Sequence, residues 1–273
     1  VDRWDPGENR ELFPELGDGA PFPKPGIVAD LDVDKLSSLP TESQDFVIAS
    51  HILEHLSDPL GQLAEIHRVL RIGGVALILL PDRRYTFDHR RSATPLEHVI
   101  EDHRAGTTTV CDEHVEDFLR NTGGWDEHMD LPENREERNR IFDLHRRRSI
   151  HVHCWTQDEF LPVLVHTARS MNMRWNLEDA LFVEDVPGAF EFGLVLRRAG
   201  AGLDGDLCAR RLELEYEQLW RRSLAARVTP LSEPAAPVPE PGAHVPDPRK
   251  PLPGYATARR FYEKGRNRLH RTN

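Results

Sequence analysis

Apolar residues are gathered into short blocks that end near Leu196, and each block has a readable period. Asp45 to Ser50 (DFVIAS) is a continuous apolar run between polar residues, which predicts a strand covered on both faces. From His51 to Leu70, the residues Leu53, Leu56, Leu60, Leu63, Ile66, His67 and Leu70 recur at spacings of three and four. That spacing predicts one amphipathic helix, broken near Pro59. Gly73-Gly74 reads as its C-terminal stop, and Val75 to Leu80 as a second buried strand closed by Pro81. Strand, helix, glycine turn and strand in that order make a βαβ unit, so a right-handed crossover and a parallel sheet are expected.

Upstream, Val1 to Gly26 is polar and rich in Gly and Pro, an irregular lead-in, and Ile27 to Leu31 is a short apolar stretch closed by Asp30 and Asp32. Residues 82–150 are charged and histidine-rich, and predict an insertion of helices and loops over one edge of the sheet. Thr156, with Glu159 three residues on, marks a helix start. The helix Asp158 to Met171 then carries Phe160, Leu161, Leu164, Val165 and Ala168 on one face. Trp175 to Val183 and Phe190 to Leu196, separated by Val186-Pro187-Gly188, predict a closing hairpin.

Glu213 to Arg227 predicts one more helix, with Leu212, Tyr216, Leu219 and Leu224 at helical spacing. Thr229 to Pro253 is too rich in proline and alanine to form a core, and Tyr255 to Asn273 is basic. The expected organisation is a domain over 1–198 with the insertion at 82–150, a C-terminal helix at 199–228 and a disordered Pro-rich tail with a basic terminus at 229–273.

Composition narrows the classes. No run among the 273 residues approaches the roughly 18 apolar residues of a membrane span, and Val1 to Arg10 lacks the apolar core of a signal peptide, so a cytoplasmic protein without membrane contact is expected. The three cysteines, Cys111, Cys154 and Cys208, are too scattered for a disulfide framework or a thiolate zinc site, and no metal is expected. A net charge of −11 argues against nucleic acid as a partner, because such binding draws on clustered Lys and Arg.

In an open α/β sheet, ligands sit beyond the carboxyl ends of the strands. Asp30, Ser50-His51 and Pro81-Asp82 occupy those ends. Histidine is the side chain best suited to proton removal near neutral pH, which makes His51 the first candidate base, followed by His103 and His153. The run Asp82-Arg83-Arg84-Tyr85-Thr86-Phe87-Asp88 falls at the rim. Its acids and arginines either hold a polyhydroxylated or anionic substrate, with Asp82, Arg84, Tyr85 and His98 in that role, or pair with each other to pin the insertion.

Taken in order, Asp30, Leu39-Pro40, Asp45 to Ile48, Leu53-Glu54-His55-Leu56, Glu65, Arg68-Val69-Leu70, Gly73-Gly74 and Pro81 resemble the second half of the nucleotide-binding core of class I S-adenosylmethionine-dependent methyltransferases. Further stretches resemble bacterial members of that family: Val1 to Trp4, Pro81 to Asp88, Thr94 to His98, Glu101 to Gly106 and His151 to Trp155. The resemblance implies a Rossmann-like three-layer α/β sandwich, with a mostly parallel sheet that ends in an antiparallel hairpin. It also implies S-adenosylmethionine as cofactor and methyl transfer to a small hydroxylated molecule.

By the same resemblance Asp2 grips the ribose hydroxyls, Asp30 accepts from the adenine amino group with Leu31 beside the ring, and Ser50 and His51 line the floor near the sulfonium. The family's first strand and glycine-rich loop would lie about 20 residues upstream of Asp2, ahead of Val1. Gly7, Gly17, Gly19 and Gly26 follow no apolar strand, so the expected core is either N-terminally truncated, the favoured reading, or a methyltransferase remnant, and without that loop this chain could be inactive.

Two other readings compete. His51-x-x-Glu54-His55 fits the H-x-x-E-H pattern of inverted zinc peptidases, which needs a further carboxylate such as Glu127, Glu133 or Glu136. The other is a noncatalytic binding protein that keeps the core and makes contact through its basic tail.

Overall fold

The computed structural model describes residues 1–13, 24–122, 131–200, 202 and 204–228. The expected Pro-rich tail and basic terminus, and Glu127, lie outside the described residues. Among those described, a four-stranded sheet is accompanied by seven α-helices. The helices are α1 (Pro6–Leu12), α2 (Pro59–Val69), α3 (Leu96–Ala105), α4 (Asp112–Asn121), α5 (Arg135–Arg147), α6 (Gln157–Ser170) and α7 (Gly205–Val228). The strands are β1 (Gln44–Ser50), β2 (Leu70–Pro81), β3 (Trp175–Leu181) and β4 (Glu191–Arg198), in spatial order β1-β2-β4-β3. β1 and β2 run parallel, and β4 is antiparallel to both β2 and β3. The fold is therefore α/β and consistent with a Rossmann-like fold, with the expected closing hairpin, but the sheet is mixed rather than mostly parallel, because β4 and β3 add two antiparallel pairings to the one parallel pairing of β1 with β2.

The structure alters the expected local elements in four places. The helix predicted from His51 starts only at Pro59, which sits in the first turn behind the capping side chain of Asp58; ahead of it Leu53–His55 is a 3-10 turn. The spacing of three and four misled because Leu53 and Leu56 are buried from the turn as fully as if they were helical. Gly73-Gly74 does not stop the helix but lies inside β2, with Gly73 at φ +80°. A side chain at Gly74 would meet the carbonyl oxygens of Arg71 and Asp45 at 2.9 and 3.1 Å, so glycine is what lets the two parallel strands close up here.

β1 is not covered on both faces. Phe46 and Ile48 are 57% and 48% exposed, and only Ala49 is fully buried. The lead-in, expected to be irregular, contains α1 with a complete capping box between Asp5 and Glu8.

The other elements follow the pattern. α6 begins at Thr156 with the capping box to Glu159, and α7 runs longer than predicted, with Leu212 and Tyr216 buried but Leu224 40% exposed. The main core is built from α2, β2, α6, β4 and α7, around Leu60, Leu63, Ile78, Phe160, Trp175 and Leu212. The insertion has a small core of its own, formed by Val110, Val115, Leu119, Phe142, Ile150 and Val152. No helix among the described residues is long and apolar enough to cross a membrane.

Candidate active site

The centre of the site is the exit of β1. The His51 amide donates to the Leu79 carbonyl of β2 at 3.0 Å, and the chain then turns sharply, with His51 at φ +53°. A non-glycine residue in this left-handed region carries strain on the order of 1 kcal/mol, which the surrounding structure must hold. The turn brings His51 Nε2 to 2.8 Å from Glu191 Oε2 and His51 Nδ1 to 3.5 Å from Glu54 Oε1. Glu191 opens β4 opposite Pro81, so parallel and antiparallel neighbours of β2 meet at this imidazole. Both carboxylates are buried, and Glu54 Oε1, Glu54 Oε2 and Glu191 Oε1 make no hydrogen bond.

These surroundings set the charge states. Burial pushes Glu54 up to about 7, opposed by the nearby His151 and His51. Burial alone would lower His51, but its hydrogen bond to Glu191 and the charges of Glu54 and Glu191 outweigh it, so the imidazole lies above its ordinary value.

Asp2 and Asp30 stand together on a separate pair of short segments. Asp2 bridges in parallel to Val28, with its amide on the Ile27 carbonyl at 3.1 Å and its carbonyl accepting from Ala29 at 2.9 Å. Asp2 Oδ1 accepts from the Trp4 amide at 3.1 Å. Asp30 pairs with Arg3 at 2.7 Å, and it accepts from the Asp32 amide at 3.1 Å. Leu31 packs on the main core. The next acid, Asp32, is buried and takes both the amide and the hydroxyl of Ser57 at 2.7 and 2.8 Å, which ties this corner to the loop after the 3-10 turn.

The rim residues divide. Asp82 is fully buried and holds Arg84 through two bonds at 2.9 and 2.7 Å, besides capping the following turn. Of the two readings of this run, mutual pairing is what the geometry shows: Arg83 likewise grips Glu159 at 2.9 and 2.7 Å. Tyr85 remains 53% exposed, with Arg84 over its ring at 5.4 Å. Arg91 is the buried clamp of the insertion. It bonds Asp88 at 2.8 Å, Asp117 at 2.8 Å and the carbonyls of His151 and Val152 at 2.7 and 3.0 Å.

The three histidines expected as bases do not share one place. His103 is held by Asp58 at 2.9 Å, beside the Lys35–Asp58 pair. The amide of His153 donates to the Glu54 carbonyl at 3.0 Å, but its ring is fully buried beside His98 and His114. Burial, reinforced by His114, His98 and Arg91, holds that ring well below the usual imidazole range, with the Ser57 backbone opposing. It is therefore a poor base, and Ser50 is exposed at the strand end beside His51.

The peptidase pattern is not realised. Its two histidines belong one helical turn apart, but His51 precedes a 3-10 turn and binds Glu191, while His55 Nδ1 bonds the Ile150 carbonyl at 2.9 Å. Glu133 and Glu136 are exposed on the surface. What gathers instead is Glu54, His55 and His151, with one donor atom of each within 4.8 Å of the others. Burial lowers His55 to about 4, and His151 Nδ1 donates to Asp88 Oδ2 at 2.6 Å.

Residues 18–78 match the family model of a methyltransferase domain, a span that takes in Asp30, β1, His51, Glu54, α2 and most of β2. That stretch is similar to a methyltransferase domain. Among solved structures the chain is similar to the selenomethionine-substituted CurJ carbon methyltransferase, at 12% identity and a TM-score of 0.30, over 63% of this chain and 34% of that one. The chain thus spans about a third of that structure's length. No curated protein matches it by sequence.

His51 and its two carboxylates stand at the carboxyl end of β1, the side of an open α/β sheet where ligands sit. Glu54 and Glu191 were the residues least visible in the sequence. Glu54 figured only within the methyltransferase resemblance and the peptidase pattern, with no role of its own, and a single glutamate at the head of a strand carries no periodic signal. The acid pair Asp2 and Asp30 retains capacity for S-adenosylmethionine: a carboxylate offers about four acceptor sites, and those shown here use one on Asp2 and two on Asp30. The residues present therefore fit the adenosyl half of the cofactor.

Proposed function

We propose that this methyltransferase domain transfers a methyl group from S-adenosylmethionine to a small hydroxylated acceptor, with His51 as the base. The observation that supports the reading is the placement of His51 at the end of a parallel strand, between two buried carboxylates at 2.8 and 3.5 Å. When bound, S-adenosylmethionine supplies a methyl group already activated by its positively charged sulfur. Asp2 and Asp30 would hold the ribose hydroxyls and the adenine amino group, with Leu31 beside them.

His51 takes the proton of the acceptor hydroxyl as the new bond forms. Glu191 fixes the ring orientation and stabilises the imidazolium, and Glu54, raised to about 7, adds negative charge on the other side only where it is ionised. The unpartnered oxygens of Glu54 and Glu191 also leave this corner electronegative, as suits a cationic sulfonium. Ser50, exposed at the strand end, contributes a hydroxyl to the floor. Tyr85 offers an exposed face at the acceptor side, and His98 borders the insertion, whereas Asp82 and Arg84 orient the rim by binding each other.

The test is transfer of labelled methyl from S-adenosylmethionine to a panel of small hydroxylated acceptors, with wild type and His51→Ala. Transfer that drops about 100-fold or more in the variant supports the reading, since a positioned base contributes on that order. A folded wild-type chain that binds the cofactor yet methylates no acceptor supports the noncatalytic alternative.

A further inference from the structure

The insertion brings four potential ligands from three separate elements to one point. His98 and Asp102 lie one turn apart on α3 and project from the same face. His114 comes from the first turn of α4, and His153 from the segment that follows α5. One donor atom of each lies within 4.8 Å of all the others.

Hydrogen bonding does not account for this gathering. His98 Nε2 and His114 Nε2 are 2.7 Å apart, and only one proton fits between them. Asp102 Oδ2 is 3.2 Å from His98 Nε2 without hydrogen-bond geometry, and it is buried with no partner. Both ring nitrogens of His153 are buried without a hydrogen bond, in a side chain of 0% exposure. Lone pairs therefore face each other with too few protons, and buried polar atoms left so are costly.

A divalent ion would satisfy all four at once. Three imidazoles and one carboxylate are ligands that suit zinc, and at bond lengths of about 2.0–2.2 Å tetrahedral ligand atoms stand roughly 3.4 Å apart. The His98–His114 pair would open by about 0.7 Å to reach that spacing. The supporting contacts are in place. Cys111 Sγ lies 3.2 Å from His114 Nδ1, on the far side of the ring, and leaves Nε2 for the ion. Trp155 stacks on His153 with ring centroids 5.4 Å apart, fixing its plane. His98, with its side chain 41% exposed, leaves a way in from solvent.

We propose that His98, Asp102, His114 and His153 form a mononuclear site for a divalent first-row transition ion, zinc foremost. With all four positions supplied by the chain the shell is closed, so the ion's role is to pin α3 and α4 to the segment carrying His153. That segment also carries the amide bonded to the Glu54 carbonyl, so the ion would steady the insertion against the reaction centre.

The test uses the full chain. Metal content is measured by mass spectrometry after purification without chelator. The stripped protein is then titrated with Zn2+ by calorimetry and with Co2+ by visible absorption. The expected result is one equivalent bound, a tetrahedral Co2+ spectrum and a rise in melting temperature with Zn2+. His98→Ala and Asp102→Asn, both at partly exposed positions, should each weaken binding at least tenfold and abolish the spectrum and the rise, with circular dichroism showing the fold retained.

His55→Ala, in the neighbouring Glu54–His55–His151 group, should leave binding unchanged. Absence of binding to the folded wild type overturns the proposal. So does one-equivalent binding that survives both His98→Ala and Asp102→Asn, or binding that is lost with His55→Ala alone.

Discussion

His51 and Glu191, far apart in sequence, are joined by a 2.8 Å hydrogen bond across the ends of β1 and β4. The bond exists because β2 has a parallel partner on one side and an antiparallel partner on the other, so a strand end and a strand beginning meet at the same edge. It converts a solitary histidine into an imidazole with a fixed orientation and an affinity for protons above the ordinary one.

With His51 as the proposed base, that elevation predicts the pH dependence of methyl transfer. A base works only when deprotonated, so kcat/KM should rise with pH as His51 loses its proton, above the usual imidazole range. Glu191→Gln keeps a hydrogen-bond partner but removes the charge, so the rising limb should move to lower pH. A limb that stays in place would assign the ionisation to another group. The measurement is the pH profile of both forms with one acceptor.

The Arg91 clamp predicts a stability effect. Its guanidinium is 3% exposed and bonds two carboxylates and two carbonyls. Removing one partner of such a buried network leaves charge uncompensated, at a cost of about 3–5 kcal/mol. Arg91→Met should lower stability by that order in urea unfolding, whereas Arg120→Met, at an exposed pair with Glu116, should cost under about 1 kcal/mol.

His67 predicts acid sensitivity away from the site. Its Nε2 accepts from the Arg174 amide at 3.1 Å and its ring meets Trp175 edge-on, and burial holds it down at about 4. A histidine lowered on folding contributes stability that is full above its unfolded value near 6.5 and is lost as pH falls towards 4. The loss is on the order of 2–3 kcal/mol. His67→Gln should remain folded at pH 7 and show a shallower fall in stability between pH 6.5 and 4 than wild type, measured by denaturant midpoint.

The sequence exposes some of this architecture and hides the rest for physical reasons. DFVIAS and the capping box at Thr156 are local signals, and both elements form where they point. A continuous apolar run carries no mark of whether its strand has neighbours on both faces, so the exposure of Phe46 and Ile48 had no local sign. Gly73-Gly74 reads equally well as a helix stop or a close strand approach, and only the carbonyls of Arg71 and Asp45 decide between them. His51 was legible because a strand end can be located from the apolar run before it. Glu191 and His114 were not, since each acts through a partner that only tertiary folding supplies.

The central proposal is that Asp2, Asp30 and His51 serve one adenosyl-binding crevice, and calorimetric titration of the full chain with S-adenosylmethionine tests it most directly. We predict one-to-one binding that weakens about tenfold or more in Asp2→Asn and in Asp30→Asn, each of which loses a charge-assisted hydrogen bond. His51→Ala should bind within a few-fold of wild type. A folded wild-type chain that gives no binding heat with either S-adenosylmethionine or S-adenosylhomocysteine, or affinity untouched by both aspartate changes, would contradict it.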